Sequence, residues 1–90
     1  MNKAELVETV ARRVGTTKKE TALIVEAVLE EITKALSSGE KVQLVGFGNF
    51  EIRERAARMG RNPQTGEVIQ IQASRIPAFR AGKVLREVIR

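Results

Sequence analysis

The chain has 90 residues, with 16 Lys+Arg against 11 Asp+Glu, a formal charge of +5, and no His, Cys or Trp. Tyr and Asp are missing too, so every acid is Glu. These gaps exclude a Ser-His-Asp triad, a Cys-His pair, a zinc site built from Cys or His, and a disulfide framework. Only Glu and Lys remain for general acid-base work at neutral pH, and no convergent constellation of them is visible, so the expectation is a protein that is not an enzyme.

What remains is enough to fold. Leu, Ile, Val and Phe number 6, 7, 10 and 3, together 26 of 90 residues. That share, about 29%, lies above the roughly 20% below which disorder is expected. A lone domain of this size buries only about 60–65% of its unfolded surface, so a second copy is expected to complete the core. No apolar run approaches the roughly 18 residues of a membrane span. The start, Met1-Asn2-Lys3-Ala4-Glu5, is polar and lacks the apolar stretch of a signal peptide. A single soluble, intracellular domain is the expectation.

The charge is unevenly spread. Residues 1–45 carry seven bases and seven acids, and residues 46–90 carry nine bases and four acids, so the whole excess of +5 lies in the second half. Eight of those nine bases are Arg, the side chain suited to planar contacts with phosphates and base edges. One reading is a solvated basic face; the other is a polyanionic partner.

In chain order, Asn2 and Glu5 have the spacing of a helix N-cap and its third residue. Leu6, Val7, Val10, Ala11 and Val14 then recur at intervals of three or four, and Gly15 follows Arg12 and Arg13 as a stop. Thr17-Lys18-Lys19-Glu20 reads as a capping box that opens a second helix over 18–38, closed by Gly39. Its apolar line of Ala22, Val25, Leu29, Ile32 and Leu36 is flanked by Ile24, Val28 and Ala35, with Leu23 and Ala27 widening it. So broad a stripe calls for burial on two sides, one of them against a second copy. Glu26, Glu30 and Lys34 form an i, i+4 line expected to face solvent. The two helices superficially resemble a helix-turn-helix reader, but the outer face of the second is acidic where a recognition helix should be polar or basic.

The period then changes. Val42 and Leu44 alternate with Lys41 and Gln43, Gly46-Phe47-Gly48-Asn49 reads as a turn, and Phe50 and Ile52 begin a strand. The pair Gly46 and Gly48 is no dinucleotide fingerprint, because the third glycine position holds Glu51 and no Lys-Ser/Thr follows. From 53 to 66 the only apolar side chains are Ala56, Ala57, Met59 and Pro63, and Asn62-Pro63-Gln64-Thr65-Gly66 is a turn, after which Val68, Ile69 and Ile71 return. A hairpin with so little to bury is expected to be an arm, 53–75, that is mobile when free and reaches roughly 30 Å. Pro77-Ala78-Phe79 leads back, and 83–90 reads as a short amphipathic helix. There Val84, Leu85, Val88 and Ile89 are expected to face inward, with Lys83, Arg86 and Arg90 outward. The expected organisation is thus a helical hairpin over 1–39, a sheet with the arm over 41–80, and a terminal helix over 82–90.

The arm carries Arg53, Arg55, Arg58 and Arg61 on one limb and the donor-free Pro63 at its tip, between Asn62 and Gln64. A two-stranded ribbon fits a DNA groove, and arginines are drawn to the negative potential of a narrow minor groove. Pro63 has two readings: an ordinary turn proline, or a wedge that unstacks and kinks a duplex. The arginine ladder and the missing core favour the wedge.

Gly46-Phe47-Gly48-Asn49-Phe50, then Arg55, Arg58 and Gly60-Arg61-Asn62-Pro63-Gln64-Thr65, resemble the signature of the bacterial HU family of histone-like DNA-binding proteins, relatives of integration host factor. The likeness extends to Ile76-Pro77-Ala78-Phe79-Arg80 and Gly82-Lys83, so it spans the chain. It implies an α+β fold: a helical body, a three-stranded antiparallel sheet and a protruding β-hairpin arm, in an intertwined homodimer whose two arms embrace the minor groove. It implies that Pro63 intercalates and that Arg55, Arg58, Arg61, Asn62, Gln64 and Thr65 line the arm contact, with Arg53 and Arg75 nearer its base. Lys3, Arg80, Lys83 and Arg86 would meet phosphates along the body. Leu29, Ile32, Leu36, Leu44, Phe47, Phe50 and Phe79 would form the dimer core. The implied function is architectural: double-stranded DNA is bound with little sequence preference, bent and compacted, in the cytoplasm, associated with the nucleoid, without cofactor, metal, membrane or small-molecule substrate. The alternative within the same resemblance is a sequence-specific bending factor of the integration-host-factor kind. The chain departs from the family pattern at Met59, where a base is usual, and at Gln72 and Ala81, where Pro is usual; these bear on arm stiffness. A membrane or RNA partner remains open for so basic a surface, although three Phe offer no stacking platform for single strands.

Overall fold

The computed structural model describes residues 1–90, which divide into two compact units, Met1–Ala35 and Leu36–Arg90. In the first unit, α1 (Lys3–Val14) begins where Asn2 Oδ1 accepts a hydrogen bond from the Glu5 N–H at 2.8 Å, and it ends at Gly15, whose N–H donates to the Ala11 carbonyl. Glu5 in the first turn and Arg12 and Arg13 in the last complement the helix dipole. α2 (Lys18–Ser37) starts under Thr17, whose hydroxyl oxygen accepts from the Glu20 N–H at 3.1 Å. The capping box is only half closed, because the Glu20 carboxylate accepts from the Thr16 hydroxyl. α2 stops at Ser37, one residue before the expected 38.

Val7 and Ala11, one turn apart on α1, are buried, as is Thr21, whose hydroxyl is satisfied by the Thr17 carbonyl at 2.9 Å. Two ion pairs join the helices, Lys3 to Glu26 and Lys18 to Glu8. The first adds a partner to the expected solvent line on α2. Glu30 and Lys34 are exposed, and the Glu26 side chain, 47% exposed, is engaged at the surface by the Lys3 ammonium. Leu23, Ile24, Val28 and Leu29 are exposed within the single chain, and Ile32 is half-buried.

The second unit is built on a three-stranded antiparallel sheet in the order β1 (Val42–Leu44), β2 (Gly48–Arg55), β5 (Ser74–Ala81). A two-stranded ribbon, β3 (Arg58–Arg61) with β4 (Val68–Ile71), forms the arm. The β1–β2 turn differs from expectation. It is centred on Val45-Gly46, with the Phe47 N–H donating to the Leu44 carbonyl at 2.9 Å, while Gly48 and Asn49 already pair in β2. Gly46 supplies the positive φ, +86°, that this turn needs at its third residue. Gly48 serves a different purpose: a Cβ there would stand 2.5 Å from the Phe79 ring and 2.6 Å from the Arg80 carbonyl oxygen, so its absence lets the ring of Phe79 close over the strand. Phe79 in turn lies 4.9 Å from Phe50 and 5.5 Å from Phe47, centroid to centroid, in tilted geometry.

α3 (Lys83–Ile89) follows Gly82, whose N–H donates to the Phe47 carbonyl. Within the single chain the expected inward set is only partly covered. Leu85 is half-buried, but Val84, Val88 and Ile89 are exposed, because nothing in the chain covers this side of a seven-residue helix. The residues expected in a dimer core divide within the single chain. Leu36 is buried, Phe50 is half-buried, and Leu44, Phe47 and Phe79 remain open.

Candidate nucleic-acid interface

In an antiparallel ladder, directly opposed residues share a face and successive residues alternate. The register therefore sorts the sheet into two faces. Val42, Phe50 and Phe79 align on one, with Ile52 opposite Pro77. The other carries Gln43, Asn49 and Arg80 in one row, then Glu51 with Ala78, Arg53 with Ile76, and Arg55 with Ser74. One face is apolar and aromatic, and the other is cationic. Glu51 sits within the cationic face with its side chain only 16% exposed, and Arg80, Arg53 and Lys41 stand 3.6, 3.7 and 3.9 Å from its carboxylate.

Arg53, Arg55 and Arg80 thus share one face, but Arg75 does not. It pairs with Glu54 on the opposite face, and its guanidinium lies 3.6 Å from the position a Cβ would take on Gly39. Lys41 belongs to this cluster and was not among the residues singled out from the sequence. Its place one residue before β1, across from the row of Glu51, was the available signal.

Beyond Arg55 the ladder drops two residues from each strand, Ala56-Ala57 and Gln72-Ala73, and resumes at Arg58 opposite Ile71 in the same register. Equal numbers are lost from both strands, so the gap contains no bulge, and Gln72 inserts nothing. A cavity of about 730 Å³ opens there, lined by Glu54, Arg55, Ala56, Ala73, Ser74 and Arg75. On the resumed ribbon Arg58 and Arg61 are three residues apart and so take opposite faces. Both are exposed. Gly60 is opposite Ile69, and its diagonal neighbour Ile71 leans over it, so that a Cβ there would meet Ile71 Cδ1 at 2.6 Å.

The tip is folded by its own polar groups. The Asn62 N–H donates to the Glu67 carbonyl at 2.8 Å, and the Gly66 N–H donates to the Asn62 carbonyl at 2.7 Å. Asn62 Oδ1 accepts from the N–H groups of Gln64 and Thr65, at 2.8 and 3.4 Å, and the Thr65 hydroxyl oxygen accepts from the Glu67 N–H. Gly66 takes φ +75°. The result is an Asx-type turn that presents Pro63, Gln64 and Thr65 exposed at the extremity. Asn62 is therefore a shaper of the tip, with its side-chain oxygen already engaged.

Lys83 and Arg86 are exposed on α3, together with Glu87 and Arg90 beside a shallow depression of about 290 Å³. Lys3, in the other unit, is paired with Glu26. No cluster of three carboxylates is placed to hold a metal ion, and no helix is long and apolar enough to cross a membrane.

The bacterial DNA-binding protein family model matches residues 1–90. The chain is 58% identical, over the full length of both, to the DNA-binding protein HU of Staphylococcus aureus, and 57% identical, again over full length, to the DNA-binding protein HU of Geobacillus stearothermophilus. Its fold matches the Anabaena HU–DNA cocrystal structure with a TM-score of 0.94 at 56% identity, covering 99% of this chain and 97% of that one. HU from Thermotoga maritima matches at 0.71 and 39%, covering both chains completely. The chain belongs to the HU family of bacterial DNA-binding proteins.

Proposed function

We propose that this protein is a non-enzymatic architectural DNA-binding protein that acts as a homodimer. It holds double-stranded DNA against its cationic sheet face and grips the minor groove with its arms, bending and compacting the duplex with little sequence preference. The observation that carries this reading is the hairpin itself: a cationic face bearing Arg53, Arg55 and Arg80 passes in unbroken register into a ribbon bearing Arg58 and Arg61, tipped by an exposed proline. Arginines on a ribbon suit a minor groove, and a donor-free apolar tip suits insertion at a base step. Gln64 and Thr65 flank Pro63 at the contact, with Asn62 shaping it. Lys83 and Arg86 take phosphates beyond the groove, and Lys3 does so after leaving Glu26. Arg75 is the weakest member of the set, because the register turns it away.

Dimer formation is supported by the apolar surface that one chain leaves open: Leu29 on α2, Leu44, Phe47 and Phe79 on the sheet, and Val84, Val88 and Ile89 on α3. The HU identity of the full-length relatives favours the non-specific reading over the sequence-specific one, and supports a location on nucleoid DNA in the cytoplasm.

Binding of a random-sequence duplex across a range of salt tests the function. If ~6–10 phosphates are neutralised per dimer, the log–log slope of affinity against salt is roughly −5 to −9. Competition between random and selected sequences then shows little discrimination. A slope near zero, or strong preference for one sequence, overturns the reading.

A further inference from the structure

A face built to meet phosphates gains nothing from a carboxylate in its middle, yet Glu51 stands there. Its side chain is 16% exposed, whereas those of Lys41, Arg53 and Arg80 around it are 53, 55 and 68% exposed. These three cations come from three places: the approach to β1, the middle of β2, and the end of β5. All converge on one anion at 3.6–3.9 Å, the outer range of ion pairing. Without it, three like charges on neighbouring strands repel one another, and long exposed side chains disperse into solvent.

We propose that Glu51 is a positioning residue that gathers Lys41, Arg53 and Arg80 into one cluster on the free sheet face and sets an upper limit on its affinity for duplex DNA. The proposal rests on the duplex-binding reading above. An arriving phosphate replaces the carboxylate as the partner of these cations. Glu51 is then left beside the phosphate backbone, where like charge opposes binding and a salt cation is drawn back to it. That uptake subtracts from the counterions released by the rest of the surface, so Glu51 both weakens binding and flattens its salt dependence. Lys41 enters the contact surface by the same argument.

The test is titration of a fluorescent 30-base-pair duplex at four salt concentrations with wild type, E51Q and K41Q, alongside thermal melting of each protein. E51Q, which keeps shape and removes charge, binds about three- to tenfold tighter at the lowest salt. Its slope is steeper by about 1 per chain, and its advantage vanishes as salt rises. K41Q binds about two- to fivefold more weakly at the lowest salt, with a flatter slope. E51Q that binds equally or more weakly, with an unchanged slope, overturns the role of Glu51. So does an E51Q that melts lower and loses affinity equally at every salt, since that marks a purely structural residue. K41Q with unaltered affinity and slope contradicts the proposal independently of how E51Q folds. Wild type that fails to bind the duplex at any salt defeats the DNA-binding reading itself, a result distinct from all of these.

Discussion

The β2–β5 ladder and the β3–β4 ribbon are two stretches of a single hairpin in one register, held by different means. The proximal stretch has eight paired rows, a third strand on its edge, and the tilted ring pair of Phe50 and Phe79 on one face. The distal stretch has four rows, no third strand, and apolar side chains that are largely open: Met59, Val68 and Ile69 are exposed and only Ile71 is half-buried. An isolated two-stranded ribbon is marginal in water, so the distal stretch draws its order from backbone pairing, the Asn62 turn and whatever it grips. The electrostatics divide in the same way. Near the sheet Lys41, Arg53 and Arg80 are answered by Glu51, whereas from Arg55 outward through Arg58 and Arg61 the limb has no ion pair. Packing belongs to the base of the hairpin, and unspent charge belongs to its end.

This division is open to direct attack. The largest effect falls on the base. Phe79→Ala removes the ring that joins Phe47 to Phe50 and is expected to cost about 3 kcal/mol in urea unfolding monitored by circular dichroism. A cost below about 1 kcal/mol would show that the aromatic cluster does not hold the base together. Next come two glycines with nearly equal steric collisions. Gly48→Ala drives a methyl into a packed ring and a backbone carbonyl and is expected to cost about 1–3 kcal/mol. Gly60→Ala meets only the flexible end of Ile71 and is expected to cost less than about 1 kcal/mol, even though β3 sits at the same register. Equal losses at the two positions would erase the contrast between base and arm.

The distal charges show the opposite pattern, with a small effect on stability and a clear one on binding. Arg58→Ala combined with Arg61→Ala is expected to leave stability within about 0.5 kcal/mol. The same pair weakens duplex binding broadly across sequences and lowers the magnitude of the salt slope by about 2 per chain. Fluorescence anisotropy at several salt concentrations measures both. A double variant that binds like wild type would place the contact elsewhere.

Local chemistry made much of this legible in the sequence. The Asn2 and Thr17 caps, the Gly15 stop, the period change at Val42 and the Pro63 turn all depend on residues within a few positions of one another, and each lies where the spacing puts it. What escaped depends on partners distant in the chain. Gly48 reads as a turn residue beside Gly46, but its role is to admit Phe79, thirty-one positions later. The two-residue gap at Ala56-Ala57 has no signature, because alanine is compatible with pairing. Arg75 looks like one more arginine near the base of the arm until the pairing of Glu54 with Arg75 assigns it to the other face. Lys41 and Glu51 escaped for the same reason: a cluster on a sheet face exists only once the strand order is known. Lys3 and Glu26 are 23 residues apart, so the helical periodicity that put Glu26 on a solvent line had no access to its partner.

On the proposed reading the hairpin bends DNA with its tip while its charges supply the grip. Pro63→Ala separates the two functions, because it removes the wedge and leaves every arginine in place. The direct measurement is Förster transfer between the labelled ends of a short duplex saturated with each protein. Wild type is expected to draw the ends together, and Pro63→Ala, bound with similar affinity, to draw them together distinctly less. Equal transfer with the two proteins would show that Pro63 is only a turn residue, and would contradict the claim.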